Sequence, residues 1–340
     1  MGGLARKSTI INNNKSDGYE VLIADAGNLF FKKDNLSPGV TMETAKATAE
    51  IIVSCFNEIG CDVFSPSSQD FAGGYEFLKS LENKSNFPFI SANIFSKYGQ
   101  KIFDPYIIEN IKGKKIAFIG LSSKFESEEI SVEEPFKILD KVLKDIKSKA
   151  DMVVLLFNAS DKDLNILKSK NYNIDLAIRS RSNLPAKTSN DGGVYNIPIY
   201  SLGSRGKYVY DFDIKIDNNS SDFIDLKYVQ SKLSKTNNFL KKHNINFNES
   251  LDLSTQFKDS PEILKDVQKN LKLKEDLEDI LDNKTNYFSF TKHELDSKIN
   301  DDQNILSIID KGKELINQLY GPIPDHKGRL PGDPHHGHNH

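Results

Sequence analysis

The chain has 340 residues, with 45 basic and 48 acidic side chains for a net charge of -3, two cysteines, seven histidines and no tryptophan. Near-neutral charge excludes a strongly cationic nucleic-acid binder, and no run approaches the roughly 20 apolar residues that span a bilayer. Cys55 and Cys61 are too few for a disulfide framework or a tetrathiolate zinc site and read as small core residues.

No apolar run follows Arg6 and Lys7, so no signal peptide is expected in this numbering. Apolar runs at residues 21–25, 61–65, 87–93, 115–121, 152–158, 176–180, 197–202 and 209–216 predict strands. Between the first two, Ala45, Ala49, Ile52, Phe56 and Ile59 recur at helical steps, the stripe of a helix lying on a sheet. A second helix is predicted over 133–149, with Phe136, Leu139, Val142 or Leu143, and Ile146 facing inward. Strand and helix alternate in this way only where buried strands are layered with helices, an α/β domain.

After Asp217 the composition becomes rich in Lys, Asn, Asp and Leu. Leu226, Val229, Leu233 and Leu240 form one helical stripe; Leu264, Val267, Leu271, Leu277 and Leu281 form another. Such helices pack as a hairpin, on the main domain or on a partner. Residues 286–290 read as a strand, and 305–319 as a last helix ended by Gly321 and Pro322. From residue 321 onward prolines, glycines and histidines predict an extended tail. The organisation expected is therefore a domain at 1–217, a helical extension at 218–320 and the tail at 321–340.

The order of segments is itself informative. Gly2-Gly3-Leu4-Ala5-Arg6 opens the chain, Asp25-Ala26-Gly27-Asn28 closes its first strand, and residues 60–74 run through Asp70-Phe71 to Gly74. Residues 86–94 and 115–121 follow as strands, and Ile197-Pro198-Ile199 precedes Gly203 to Tyr208. In that order these pieces resemble the metallophosphoesterase domain of the 5'-nucleotidase family, the calcineurin-like phosphoesterases. The resemblance implies a four-layer αββα sandwich. It also implies two divalent cations held by Asp, Asn and His around a bridging carboxylate and an attacking hydroxide.

Checked position by position, that ligand set is missing. Asn28 stands where the bridging aspartate belongs, and Ser67-Ser68-Gln69-Asp70 replaces Gly-Asn-His-Glu. Asn158 ends a strand where the resemblance implies a histidine, and Arg181 and Asn183 occupy the places of the last two histidines. The family's first motif, Asp-x-His, would precede residue 1. Residues 1–242 contain no histidine at all, so no shift of alignment can restore one.

Two readings of the altered cleft stay open. Arg179 or Arg181, paired with Asp25 or Asp70, would set a guanidinium where a cation would sit and so hold an anion; or both arginines are solvated at a loop tip. No other constellation replaces the lost one. Gly203-Ser204-Arg205-Gly206-Lys207 lacks P-loop spacing and reads as a turn. His243 and His293 have no nucleophile nearby and read as surface residues.

His335, His336, His338 and His340 can chelate zinc, copper or nickel through neutral imidazoles on a flexible backbone. No cofactor is expected in the cleft itself. The expected function is that of a catalytically inactive, 5'-nucleotidase-like binding or scaffolding module, meeting a protein partner or a second copy through residues 218–320. The alternatives are an active phosphoesterase with an atypical site, and a metal-binding protein acting through its tail. Resemblance alone implies a periplasmic or extracellular location.

Overall fold

The computed structural model describes residues 2–32, 36, 39–170, 172–180, 187–189, 197–203, 206–217, 223–245 and 252–322. They fall into two compact units, Met1–Ser189 with Ile197–Val209 and Lys292–His340, and Asn190–Asn196 with Tyr210–Thr291. The division differs from the one expected at Asp217: the last predicted helix belongs to the first unit.

The first unit opens with α1 (Gly2–Ser16), β1 (Ala24–Asp25) and α2 (Met42–Ile59). Thr41 caps α2 by accepting the Thr44 N–H, and Gly60 ends it at φ 82° with its own N–H on the Phe56 carbonyl. The predicted stripe faces inward: Ala45, Ala49, Phe56 and Ile59 are buried and Ile52 half-buried. Next come β2 (Val63–Phe64), a 3-10 turn at Ser68–Phe71, α3 (Tyr75–Lys84) and β3 (Ile94–Ser96). β1 and β2 pair in parallel, and Phe64 bridges to Phe89.

With no tryptophan in the chain, phenylalanines fill this core. Phe64 meets Phe89 edge-on at 4.8 Å and Phe30 at 5.1 Å. Burying each such ring is worth about 1.5–3 kcal/mol.

The chain continues through β4 (Tyr106–Ile111), β5 (Lys114–Ser122), β6 (Ile130–Val132), α4 (Pro135–Ile146), β7 (Met152–Asn158) and α5 (Asp161–Ser169). It then adds β8 (Leu176–Ser180), β9 (Lys187–Ser189) and β10 (Ile199–Ser201). Six of these form one sheet in the order β4-β5-β7-β8-β10-β9, parallel at its centre and antiparallel at both edges. The register aligns Ile119, Leu155, Ala177 and Ile199, all buried in one core with Leu139, Val142 and Ile146 of α4 and Leu167 of α5. At Gly120 the sheet meets the other sheet's segment so closely that a Cβ would lie 2.3 Å from the Ile90 carbonyl oxygen. Sheet faces sheet, with helices outside each, the α/β sandwich the sequence implied.

The second unit holds β11 (Tyr208–Ile216), β12 (Phe223–Asp225), α6 (Leu226–Lys242), α7 (Leu253–Gln256), α8 (Pro261–Asp282) and β13 (Asn286–Glu294). Its sheet runs β11-β13-β12. α6 and α8 pack on each other through Leu240, Ile245 and Val267, the hairpin that the two leucine stripes predict.

The closing helix α9 (Gln303–Tyr320) is capped by Asp302, which accepts N–H bonds from Asn304 and Ile305 as well as the Ser8 hydroxyl at 2.7 Å. Ile305, Ile309 and Ile316 are buried with α1 and α2. Gly312 presses on Ile51, where a Cβ would come within 2.4 Å. α9 therefore completes the first unit's core instead of extending a helical arm.

Candidate functional site

The predicted site residues gather at the carboxyl ends of parallel strands. Asp25 to Phe30 follow β1, Ser65 to Asp70 follow β2, Asn158 ends β7 and Arg179 and Ser180 end β8. This is where open α/β sheets carry their ligand sites.

Asp70 organises the centre. Its buried carboxylate accepts the backbone N–H groups of Asn28 at 2.8 Å, Leu29 at 2.8 Å, Phe30 at 3.0 Å and Ser67 at 2.9 Å. The Ser67 hydroxyl lies 3.1 Å from Asp70 Oδ2 and donates to Asn28 Oδ1 at 2.6 Å, while accepting the Asn28 N–H at 2.9 Å. A serine followed three residues later by a carboxylate that returns to its N–H is the capping-box pattern, so Ser67 was legible in the sequence. The loop can turn this tightly because Gly27 has φ 96°, and a Cβ there would lie 2.5 Å from the Ser65 carbonyl oxygen and 2.6 Å from Ser67 Oγ. Asn28 itself sits in the left-handed region at φ 59°.

Burial pushes the Asp70 carboxyl up to about 6, against the downward pull of its four N–H donors. Asp25 is likewise raised by burial, with Lys7 and the Gly27 N–H opposing. Lys7 reaches this region along the Phe56 ring, its Nζ 4.5 Å from the ring centre.

A second group joins the two sheets. The buried Asn158 donates through Nδ2 to Ser180 Oγ at 2.9 Å, and Ser180 Oγ donates to the Ala26 carbonyl at 2.6 Å. Asn158 Oδ1 is buried without a partner among the described residues. Nothing in the sequence marks Ser180 as the connecting hydroxyl, because the contact spans 154 positions.

The remaining candidates are placed differently. Gln69 donates its side-chain amide to the Phe31 and Lys32 carbonyls at 3.2 and 3.3 Å, and Ser68 is half-buried at the start of the turn. Arg179 is not paired with Asp25 or Asp70, as one reading expected. Its Nε donates to the Ala159 carbonyl at 3.0 Å and its Nη2 to Asp161 at 2.6 Å, because α5 begins directly after β7 and offers the nearest acceptors. Arg181, Asn183, His335, His336, His338 and His340 lie outside the described residues. His243, which closes α6 with its ring 4.6 Å from Phe239, and His293 are both half-buried.

Two dications need several carboxylate and imidazole ligands with free lone pairs. Among the described residues no group of three or more His, Cys, Asp or Glu could hold a metal. The best-placed carboxylate, Asp70, has both oxygens turned to backbone N–H groups. The described residues do not fit a dinuclear centre.

No protein-family model matches the chain. It is 30% identical over 160 residues to the 5'-nucleotidase of Vibrio cholerae, covering 43% of this chain and 28% of that protein. The chain thus spans less than a third of the curated relatives it first matches. Its fold is similar to the calcineurin-like phosphoesterase YfkN of Bacillus subtilis, with TM-score 0.60 at 13% identity over 92% of this chain and 89% of that one. The 5'-nucleotidase precursor of Thermus thermophilus aligns with TM-score 0.52 at 15% identity over 63% of this chain and 46% of that one. Residue pattern, similar sequence and fold agree in one likeness, to the 5'-nucleotidase-type, calcineurin-like metallophosphoesterases.

Proposed function

We propose that this protein is a catalytically inactive member of that family, kept as a binding or scaffolding module. The observation that carries the reading is that ligand positions are occupied by neutral side chains bonded to their neighbours. Asn28 accepts from Ser67, Gln69 donates to backbone carbonyls, and Asn158 is tied to Ser180. A hydroxide poised between two cations has no counterpart in such a network. Of the residues 218–320 first expected to meet a protein partner or a second copy, α9 is committed to the first unit's core, which leaves the helices of the second unit for that role; export to the periplasm or beyond is what the family resemblance supports.

The test is hydrolysis of 5'-nucleotides and p-nitrophenyl phosphate by the full chain with added manganese, zinc or magnesium. Rates at background are expected; metal-dependent turnover abolished by Asp70→Asn or Asn158→Ala would overturn the proposal. Metal chelation is proposed for the tail alone. Calorimetry with zinc and copper should give binding that disappears when His335, His336, His338 and His340 are all replaced by alanine, and unchanged binding would remove the idea.

A further inference from the structure

From the charge pattern of the second unit we infer that the outer face of α6 docks on an anionic phospholipid surface. The helix carries five lysines and no acidic residue across Leu226–Lys242, in a chain whose net charge is -3. Its inward side is defined by the buried Val229, Thr236 and Leu240. The exposed side holds Lys227, Lys232, Lys235, Lys241 and Lys242, and the exposed residues between them are Gln230, Ser231, Ser234 and Asn238.

Lys235 and Lys242 stand two helical turns apart on one line, and Lys232 lies three residues before Lys235 on the neighbouring row. Lys227 is anchored on its own sheet, donating to the Phe290 carbonyl with its Nζ 4.7 Å from the Phe290 ring centre. The other four make no ion pair among the described residues, whereas Lys272 and Lys274 of α8 are each paired with carboxylates.

The same face decides between partners. A protein interface is built on buried aromatic and apolar anchors and is depleted in lysine. The exposed face of α6 has no large apolar residue, so it lacks the core such an interface needs. An anionic bilayer requires only charge within reach, and lysines add up there nearly one by one. The apolar residues of α6 are committed to the unit's own core, so the contact is electrostatic and lies at the headgroups without insertion. It does not rest on the candidate site, and phosphoesterase activity, present or absent, would leave it standing.

The experiment is co-sedimentation of the full chain with phosphatidylcholine vesicles and with vesicles in which a third of the lipid is phosphatidylglycerol, at low and at 0.5 M salt. Binding to the anionic vesicles alone, lost at high salt, is expected. The triple variant Lys232→Gln, Lys235→Gln, Lys242→Gln should partition about 100-fold more weakly. A control, Lys265→Gln with Lys269→Gln on α8, should bind as the native chain does, and circular dichroism should find all three proteins folded. Equal binding to neutral vesicles, no binding to either, or a triple variant that binds anionic vesicles undiminished would overturn the inference. So would retention on a soluble acidic polypeptide without any vesicle binding.

Discussion

The side-chain amide of Asn158 donates to the Ser180 hydroxyl at 2.9 Å, a bond between facing residues at the ends of the paired strands β7 and β8, where the resemblance implies a histidine. Since Ser180 passes its own proton to the Ala26 carbonyl, the pair also ties the two sheets together. Ser180→Ala would strand both the amide and the carbonyl in a buried site. A loss of about 2 kcal/mol in urea unfolding is expected, and a loss below about 0.5 kcal/mol would mean that water replaces the hydroxyl.

Asp70 holds two loops by their backbone. Asp70→Asn keeps the shape but turns an NH₂ group toward N–H donors, so a destabilisation of about 2–4 kcal/mol is expected by the same measurement. The acid's raised folded value gives the sign of the pH effect. Between about 4 and 6 the folded chain retains a proton that the unfolded chain has released. The contribution of Asp70 is therefore full below pH 4 and is lost as pH rises through 6. Unfolding curves across that range should carry this slope in the native protein and lack it in Asp70→Asn.

Gly27 tests the loop geometry itself. Gly27→Ala would drive a Cβ into the Ser65 carbonyl and the Ser67 hydroxyl at a φ that L-residues avoid. A cost of about 3 kcal/mol or more is expected. Thermal melting of this variant beside Gly18→Ala, where a Cβ would meet nothing within 4 Å, separates collision from backbone strain.

Arg179 is buried for most of its length, yet its partner Asp161 is 90% exposed. The ion pair should therefore be weak. Asp161→Asn is expected to cost no more than about 0.5 kcal/mol, and Arg179→Ala about 1–2 kcal/mol through the lost bond to the Ala159 carbonyl. A double-mutant cycle returning a coupling near zero would place the role of Arg179 in packing and in that carbonyl.

The two cysteines should be silent in the folded protein. Burial pushes the Cys55 thiol up to about 11 and the Cys61 thiol to about 12. At pH 8 the thiolate is then on the order of one part in a thousand or less. No reaction with a thiol-titrating disulfide is expected until the chain is denatured, when both should react; rapid labelling of the native state would contradict the packing around α2 and β2.

The sequence by itself determined the elements whose pattern is local. Met152 to Asn158 and Leu176 to Ser180 are apolar runs closed by a polar residue, and both strands begin and end where the composition changes. The absence of histidine before residue 243 likewise settled from composition that a histidine-based centre could not be assembled from that stretch. What the run of letters could not announce is weakly patterned or distant. β4, α3 and α5 are short elements, of 6, 10 and 9 residues, in which polar and charged residues interrupt the apolar ones.

The last helix reads like an arm because its leucines and isoleucines need some partner. Only the fold supplies one, the faces of α1 and α2 nearly three hundred residues earlier. Arg179 found its acceptors at the junction of β7 and α5 and not on the acids that sequence order suggested, since side chains bond to what the strand ends bring near. The Asn158 to Ser180 to Ala26 chain and the N–H cradle of Asp70 are likewise tertiary facts. A hydrogen bond between residues 42 or 154 positions apart leaves no period in the sequence, and it exists only once parallel strands align their carboxyl ends.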